Sequence, residues 1–205
     1  IIALTPDLVI VDKSTGPQSA LDALEVAGIR VVTTTETWTL GDMPAKVRAI
    51  ADAIGAPASG AALNAALNSS LEKLPESQQK SRVVFLYLRG GSSIYLIGGK
   101  GSGADSLISA VGAFDVGAAT LTNPFNAMTS ELVASLNPDV ILVMSKGLQS
   151  VGGVSGLVQL PGIAQTAAAK NKRVIAVDDS LLLSFGPRTP DLIKQLNVAM
   201  AKAMK

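Results

Sequence analysis

Two distant stretches of this 205-residue chain read alike. Ala3-Leu4-Thr5-Pro6-Asp7-Leu8-Val9-Ile10 matches Ser135-Leu136-Asn137-Pro138-Asp139-Val140-Ile141-Leu142, an offset of 132 from Pro6 to Pro138. Taken alone, Pro-Asp before an apolar run is ordinary turn chemistry, because proline keeps the preceding residue out of the helical region and Asp tolerates turns. The downstream residues give the match its weight. Each copy continues through a loop and a helical segment to Gly-Ile, at Gly28-Ile29 and at Gly162-Ile163. A repeat of this length predicts two units of like topology.

Short β-branched runs alternate with segments of helical period, which is the pattern of a sheet covered by helices. The runs predict strands at Leu8 to Val11, Arg30 to Thr34, Arg82 to Leu88, Val140 to Met144 and Arg173 to Val177. Helices are expected over Ala20 to Val26, stopped by Gly28, and over Met43 to Ile54, stopped by Gly55 with Pro57 beyond. This order implies a parallel sheet. From Ser59 to about Leu74 the leucines at 63, 67, 71 and 74 form one stripe, with Ser59 as N-cap. At 1.5 Å per residue that helix reaches about 25 Å, long enough to join two domains. The polar stretch from Pro75 to Ser81 then opens the next strand and sets the lobe boundary.

The second copy of the repeat is preceded by a helix, Thr129 to Leu136, and by the start of a lobe, whereas only Ile1 to Leu4 precede the first. The expectation is a first lobe lacking at least a strand and a helix, with sheet edges that invite self-association.

With 48% hydrophobic and 16% charged residues the chain is globular. Its net charge of +1 offers no field for nucleic acid or an anionic membrane. It contains no Cys and no His. That excludes disulfides, zinc-thiolate sites and every Ser-His or Cys-His catalytic arrangement. Its longest apolar runs fall short of a membrane span, and no basic segment leads into an apolar one at the start. The glycine run Gly98 to Gly103 lacks the spacing of a phosphate loop, since Lys100 follows Gly99 directly and is followed by Gly101. It reads as a flexible hairpin end leading into a helix from Ala104 to Val111.

In order and spacing these elements resemble the solute-binding proteins that serve ABC importers for haem, cobalamin and iron siderophores. Four stretches are similar to the haem-binding branch: Leu86-Tyr87-Leu88-Arg89-Gly90-Gly91, Gly101-Ser102-Gly103-Ala104-Asp105-Ser106-Leu107-Ile108, Val143-Met144-Ser145-Lys146-Gly147-Leu148 and Ser184-Phe185-Gly186-Pro187-Arg188-Thr189-Pro190. The resemblance covers essentially the whole chain. It implies an α/β fold of two Rossmann-like lobes joined by one long helix, with residues 1–58 the remnant of the first lobe, 59–77 the connecting helix and 78–205 the C-terminal lobe. It also implies haem held between the lobes and handed to a membrane permease with its ATPase, in the periplasm or at the cell surface on a lipid anchor, after removal of a signal segment. The main axial ligand, usually tyrosine, would lie before Ile1. Some relatives take a second ligand from histidine, and this chain departs from them.

Arg188 stands out among the site candidates: the Gly186-Pro187 turn precedes the last helix, and an arginine there suits bidentate grip of a carboxylate. The resemblance assigns it to a haem propionate and expects Phe185 and the hairpin from Arg89 to Tyr95 to line the same cleft. Tyr95 is a candidate iron ligand, because haem iron accepts phenolate, yet a half-buried strand tyrosine is equally ordinary. Tyr87 reads as core. Lys146, beyond the Val140 to Met144 strand, and Lys13 in the first copy stand where ligands of open α/β sheets gather. Each also reads as a solvated loop lysine. Glu131 suits a helix N-terminus, and the resemblance makes it a permease-docking carboxylate. Asp178-Asp179 is the only adjacent acidic pair and reads as a loop or cap.

Three functions stay open: a haem-binding component of an importer, the same fold carrying cobalamin or a ferric siderophore, and a nucleotide-binding α/β enzyme. Aromatic content of 3% is low for stacking on a porphyrin. Without His or Cys the enzyme reading lacks a nucleophile and base.

Overall fold

Apolar patterning and turn chemistry set the elements, and the two Pro-Asp turns enter two different sheets. The computed structural model describes residues 1–74 and 80–205. Its contacts divide them into two units, Ile1–Thr37 with Gly41–Ser69, and Trp38–Leu40 with Ser70–Lys205.

In the first unit, β1 (Leu8–Asp12) runs parallel to β2 (Arg30–Thr34), from Leu8 beside Arg30 to Asp12 beside Thr34. The Thr34 hydroxyl fastens the far end by donating to the Val11 carbonyl at 3.2 Å and to Asp12 Oδ1 at 3.0 Å. Between these strands lies α1 (Gln18–Val26), closed by Gly28 at φ 77°. Next come α2 (Met43–Ala53), with Pro44 in its first turn, and α3 (Pro57–Glu72). Gly60 presses so closely on the Ala51 methyl that no Cβ would fit, and Asn64 Nδ2 donates to the Pro44 carbonyl at 2.9 Å. The helix expected from Ser59 therefore starts two residues earlier, at Pro57, where proline's missing N–H costs nothing. Of its leucine stripe, Leu67 is buried and Leu63 is exposed. The helix ends at Glu72, two residues before the expected Leu74, and the boundary drawn within Pro75 to Ser81 falls largely on residues 75–79, outside the described residues.

The second unit is built on a six-stranded sheet. β3 (Arg82–Arg89) pairs antiparallel with β4 (Ile94–Gly98), which pairs with β6 (Phe125–Ala127). On its other side β3 runs parallel to β7 (Val140–Met144), and β7 runs parallel to β8 (Val174–Val177) at the edge. The two-residue β5 (Phe114–Asp115) joins the start of β3. The sheet is mixed, and the parallel arrangement expected from the strand-helix order holds for β3, β7 and β8. Val-Ile-Leu-Val-Met of β7 is buried along its whole length, as a central strand covered on both faces requires.

The helices of this unit are α4 (Ala104–Ala110), α5 (Val116–Thr120), α6 (Ser130–Leu136), α7 (Ser145–Ser150), α8 (Gly153–Leu157), α9 (Ala167–Lys170), α10 (Asp179–Leu182) and α11 (Thr189–Ala203). On one face Val84, Leu86 and Leu88 of β3 pack with Ile141 and Val143 of β7 and with Val133, Leu136 and Leu157. Burying side chains of this kind stabilises the fold by roughly 1.5–3 kcal/mol each.

The repeat is visible in the backbone. Thr5 and Asn137 both take left-handed conformations, φ 44° and 36°, immediately before Pro-Asp. Each then feeds a strand whose parallel partner lies across a helical segment. The copies diverge afterwards. Gly28-Ile29 leads directly into β2, whereas three short helices separate β7 from β8 and Gly162-Ile163 precedes the last of them.

Candidate functional site

Strands β3, β7 and β8 run in one direction, so their carboxyl ends share one edge of the sheet, the place where open α/β sheets bind ligands. Arg89 is the last residue of β3, Lys146 follows β7 by two residues, and Asp178 and Asp179 follow β8. Two glycines let the pieces approach. A Cβ on Gly147 would stand 2.8 Å from the Leu88 carbonyl oxygen, and one on Gly90 would collide with the Ser150 carbonyl. Thus α7 lies directly against the end of β3.

Asp179 is the organiser of this cluster. Its Oδ2 accepts a 2.9 Å hydrogen bond from the Lys146 amide at the start of α7. Its Oδ1 stands 3.4 Å from Arg89 Nη2, an ion pair without the alignment of a hydrogen bond, so this buried oxygen accepts none. The Arg89 guanidinium also lies 4.6 Å over the Tyr87 ring, and its Nη1 donates to the Leu88 carbonyl at 2.9 Å. Tyr87 meets Phe125 edge-on at 5.8 Å. Held on three sides, Arg89 is positioned before any ligand arrives.

Asp178 caps α10: Oδ1 accepts from the Ser180 amide at 2.8 Å and from its hydroxyl at 2.6 Å. These bonds, the hydroxyl's first, hold its carboxyl below the usual range, and the charges of Lys146 and Arg188 add to the effect. Arg188 reaches across from the N-cap of α11, donating to the Ser180 carbonyl at 3.3 Å. Among the described residues Arg188 and Lys146 make no salt bridge with a carboxylate. Both are exposed. Three cations and two carboxylates therefore meet at one sheet edge with a net positive balance.

Of the residues expected from sequence, Arg89, Lys146 and Arg188 come together here. Phe185 does not line the site. Its ring is 1% exposed, its backbone sits at φ 44°, and a Cβ on Gly103 would touch the ring at 3.0 Å. The side chain turns inward and fills the core beneath the loop, which corrects its assignment to the ligand surface. Tyr95 stands opposite Leu88 and so projects from the same face as that buried leucine, the face away from Tyr87 and Arg89. There it packs on the core and borders a separate pocket of about 310 Å³ with Met128, Ser130, Leu160 and Pro161. Glu131 is exposed in the first turn of α6, beside the Thr129 cap. Lys13 lies in the first unit, in the turn after β1.

The role of Asp179 was beyond the sequence, where the Asp-Asp pair reads as an ordinary cap. The usable signal was its position two residues after β8, in a sheet whose parallel strands β3 and β7 bring Arg89 and Lys146 to the same edge. The glycine run resolves as a loop sewn down by its own amides: Gly101 and Gly103 donate to Asp105 at 2.7 and 3.0 Å, and Gly99 to the Pro124 carbonyl at 2.9 Å.

Comparison with known proteins gives this architecture its kin. A model of the family described as periplasmic binding protein matches residues 1–181. The periplasmic haem-binding protein RhuT of Roseiflexus sp. RS-1, in its apo form, superposes with a TM-score of 0.89 at 34% identity, over 99% of this chain and 78% of that one. The haem-binding protein BhuT, solved with two haems, gives 0.87 at 28% identity over 100% and 78%. Among curated proteins, the ABC transporter substrate-binding lipoprotein YvrC of Bacillus subtilis strain 168 is 27% identical over 203 residues. That alignment takes in 96% of this chain and 62% of the relative, so the chain spans under two thirds of the curated protein it matches. A family match over residues 1–181, with two superpositions running the length of the chain, means that this chain belongs to the periplasmic binding protein family.

Proposed function

We propose that the chain is the greater part of the substrate-binding component of an ABC importer, that its ligand is haem, and that it binds without turnover. The observation that carries the ligand reading is the cation set Arg89, Lys146 and Arg188 around Asp179 at the sheet edge. Haem presents two carboxylates on one side of a flat apolar ring. Guanidinium groups meet carboxylates through paired N–H donors, and a lysine ammonium adds a point charge beside them. In this reading Arg188 and Lys146, which lack carboxylate partners among the described residues, take the propionates, and Arg89 moves part of its charge from Asp179 to the ligand. The names of the relatives RhuT and BhuT, both haem-binding proteins, support the choice of haem over cobalamin or a siderophore.

The donor set fits the propionate end of haem and leaves the iron to another residue. No group of three or more His, Asp or Glu able to hold a metal occurs among the described residues, and Tyr95 lies on the other sheet face. The family's setting is extracytoplasmic, and among the described residues no helix is long and apolar enough to cross a membrane. A permease with its ATPase is the implied partner, with exposed Glu131 as a docking carboxylate.

Hemin titration followed by the Soret band tests the ligand. Saturable, equimolar binding is expected, weakened about tenfold by Arg188→Ala and more by Arg89→Ala with Arg188→Ala. Equal binding of wild type and the double variant, or preference for cobalamin or a ferric siderophore in competition, overturns the reading.

A further inference from the structure

At the opposite end of β8 from Asp178 lies a groove of about 560 Å³ walled by the start of that strand and the last turns of α11. Four cations line it: Lys172, Arg173, Lys202 and Lys205. Among the described residues none of the four makes an ion pair. Among the described residues no Asp or Glu side chain lines the groove, so its four side-chain cations leave it strongly positive. Lysines scattered along a strand edge commonly serve only to repel other strands. Here, however, the cations sit at the rim, while the strand edge between them, Val174 to Ala176, carries none.

That edge is open. Among the described residues β8 is the terminal strand of its sheet and pairs with β7 alone. The Ile141 amide donates to the Arg173 carbonyl at 2.9 Å, so residues 173, 175 and 177 turn their backbone groups toward β7 and residues 174 and 176 turn theirs outward. The Val174 amide is taken by the Lys172 carbonyl at 3.0 Å. The Val174 carbonyl and both backbone groups of exposed Ala176 are left facing the groove. Its far wall carries Ala199 and Ala203, whose small side chains leave room for another backbone.

We propose that this groove is a docking site for an extended acidic segment of a partner protein, which adds as a strand along the free edge of β8 with its carboxylates on Lys172, Arg173, Lys202 and Lys205. In an extended segment alternate side chains share a face, so acidic residues at every second position meet the cations while the backbone pairs with Ala176. The site lies a strand's length from the Arg89–Asp179 cluster, so both can be occupied together.

The probe is a fluorescein-labelled acetyl-(Glu-Val)4-amide titrated with the 205-residue chain and followed by anisotropy, beside three comparisons. These are a (Lys-Val)4 peptide, an acidic peptide N-methylated at alternate residues, and phosphatidylglycerol vesicles. Saturable binding of the acidic peptide is expected, weakened about tenfold or more by Arg173→Glu with Lys202→Glu, and equally by N-methylation, which keeps the charges and removes strand donors. Lys202 is exposed and Arg173 half-buried, and circular dichroism verifies the fold of the variant. Absence of saturable binding, binding that survives charge reversal or N-methylation, or binding to vesicles alone each overturns the proposal.

Discussion

Removing the Asp179 side chain tests whether it, and not the cations themselves, holds the binding edge together. Asp179 joins three segments: its own helix, the start of α7 through the Lys146 amide at 2.9 Å, and the end of β3 through Arg89 at 3.4 Å. Its side chain is 16% exposed and that of Arg89 34%. A hydrogen bond to a carboxylate contributes roughly 1.5–3 kcal/mol, and this one lies at the exposed edge, which places it at about the lower end. The looser, half-exposed ion pair adds well under about 1 kcal/mol, since solvent screens it and its geometry is imperfect. Asp179→Ala is therefore expected to lower the unfolding free energy by about 1.5–2.5 kcal/mol, measured by urea denaturation at pH 7. In a chain of this size each kcal/mol corresponds to roughly 2–4 °C in Tm. Asp179→Asn keeps an acceptor for the Lys146 amide and gives up only the charge, so its cost should stay below about 1 kcal/mol. Equal costs for Ala and Asn would show that the charge matters and the hydrogen bond does not. A cost within about 0.5 kcal/mol for Ala would show that α7 docks without Asp179, and the account of the cluster would fail.

Burial pushes the Asp115 carboxyl up to about 6, against amide hydrogen bonds from Ala118 and Gly117 that pull it down. A carboxyl raised in the fold binds its proton more tightly there than in the unfolded chain. Its contribution is therefore full below about pH 4 and lost as pH climbs through 6, at most about 3 kcal/mol, and Asp115→Asn should flatten that slope in urea melts between pH 4 and 7. Phe185→Ala should cost about 3–5 kcal/mol in stability, the loss for an aromatic ring in the core; a small change with weakened ligand binding would return Phe185 to the site. Gly162→Ala should cost more than about 2 kcal/mol, because φ is 81° and the new methyl would strike the Ser130 backbone; a neutral melt would refute the close approach.

Much of the fold was legible because burial and turn chemistry act locally. Arg30 to Thr34 and Val140 to Met144 are strands over the whole of their predicted ranges, since β-branched runs bounded by turns have few alternatives. The repeat was legible because proline and the left-handed residue before it, Thr5 or Asn137, fix the entry to a strand in both units. The elements that escaped were short and held by tertiary contacts. β6 is three residues, Phe125–Ala127, and exists because Gly98 and Ile97 offer it an edge. The four-residue helices Ala167–Lys170 and Asp179–Leu182 are too short to persist alone, and each depends on a side-chain cap from Thr166 or Asp178. Such elements have no periodicity to read.

The site divides along the same line. Arg89, Lys146 and Arg188 were readable because each stands next to a strand end or a helix start, positions that topology alone sends to one edge. Phe185 stands three residues before Arg188 and reads as its companion, yet a left-handed φ swings its ring into the core while the arginine stays outside. Adjacency in sequence thus says little about facing when a turn intervenes. Within a strand it says more: Leu88 and Tyr95 pair directly, so Tyr95 must share the leucine's buried face, and Arg89 must point the other way. That parity argument separates the tyrosine from the cations by backbone geometry alone. The single arginine that β3 contributes to the edge is steered there by its place in the strand, and Asp179 and the Tyr87 ring then fix where its charge lies.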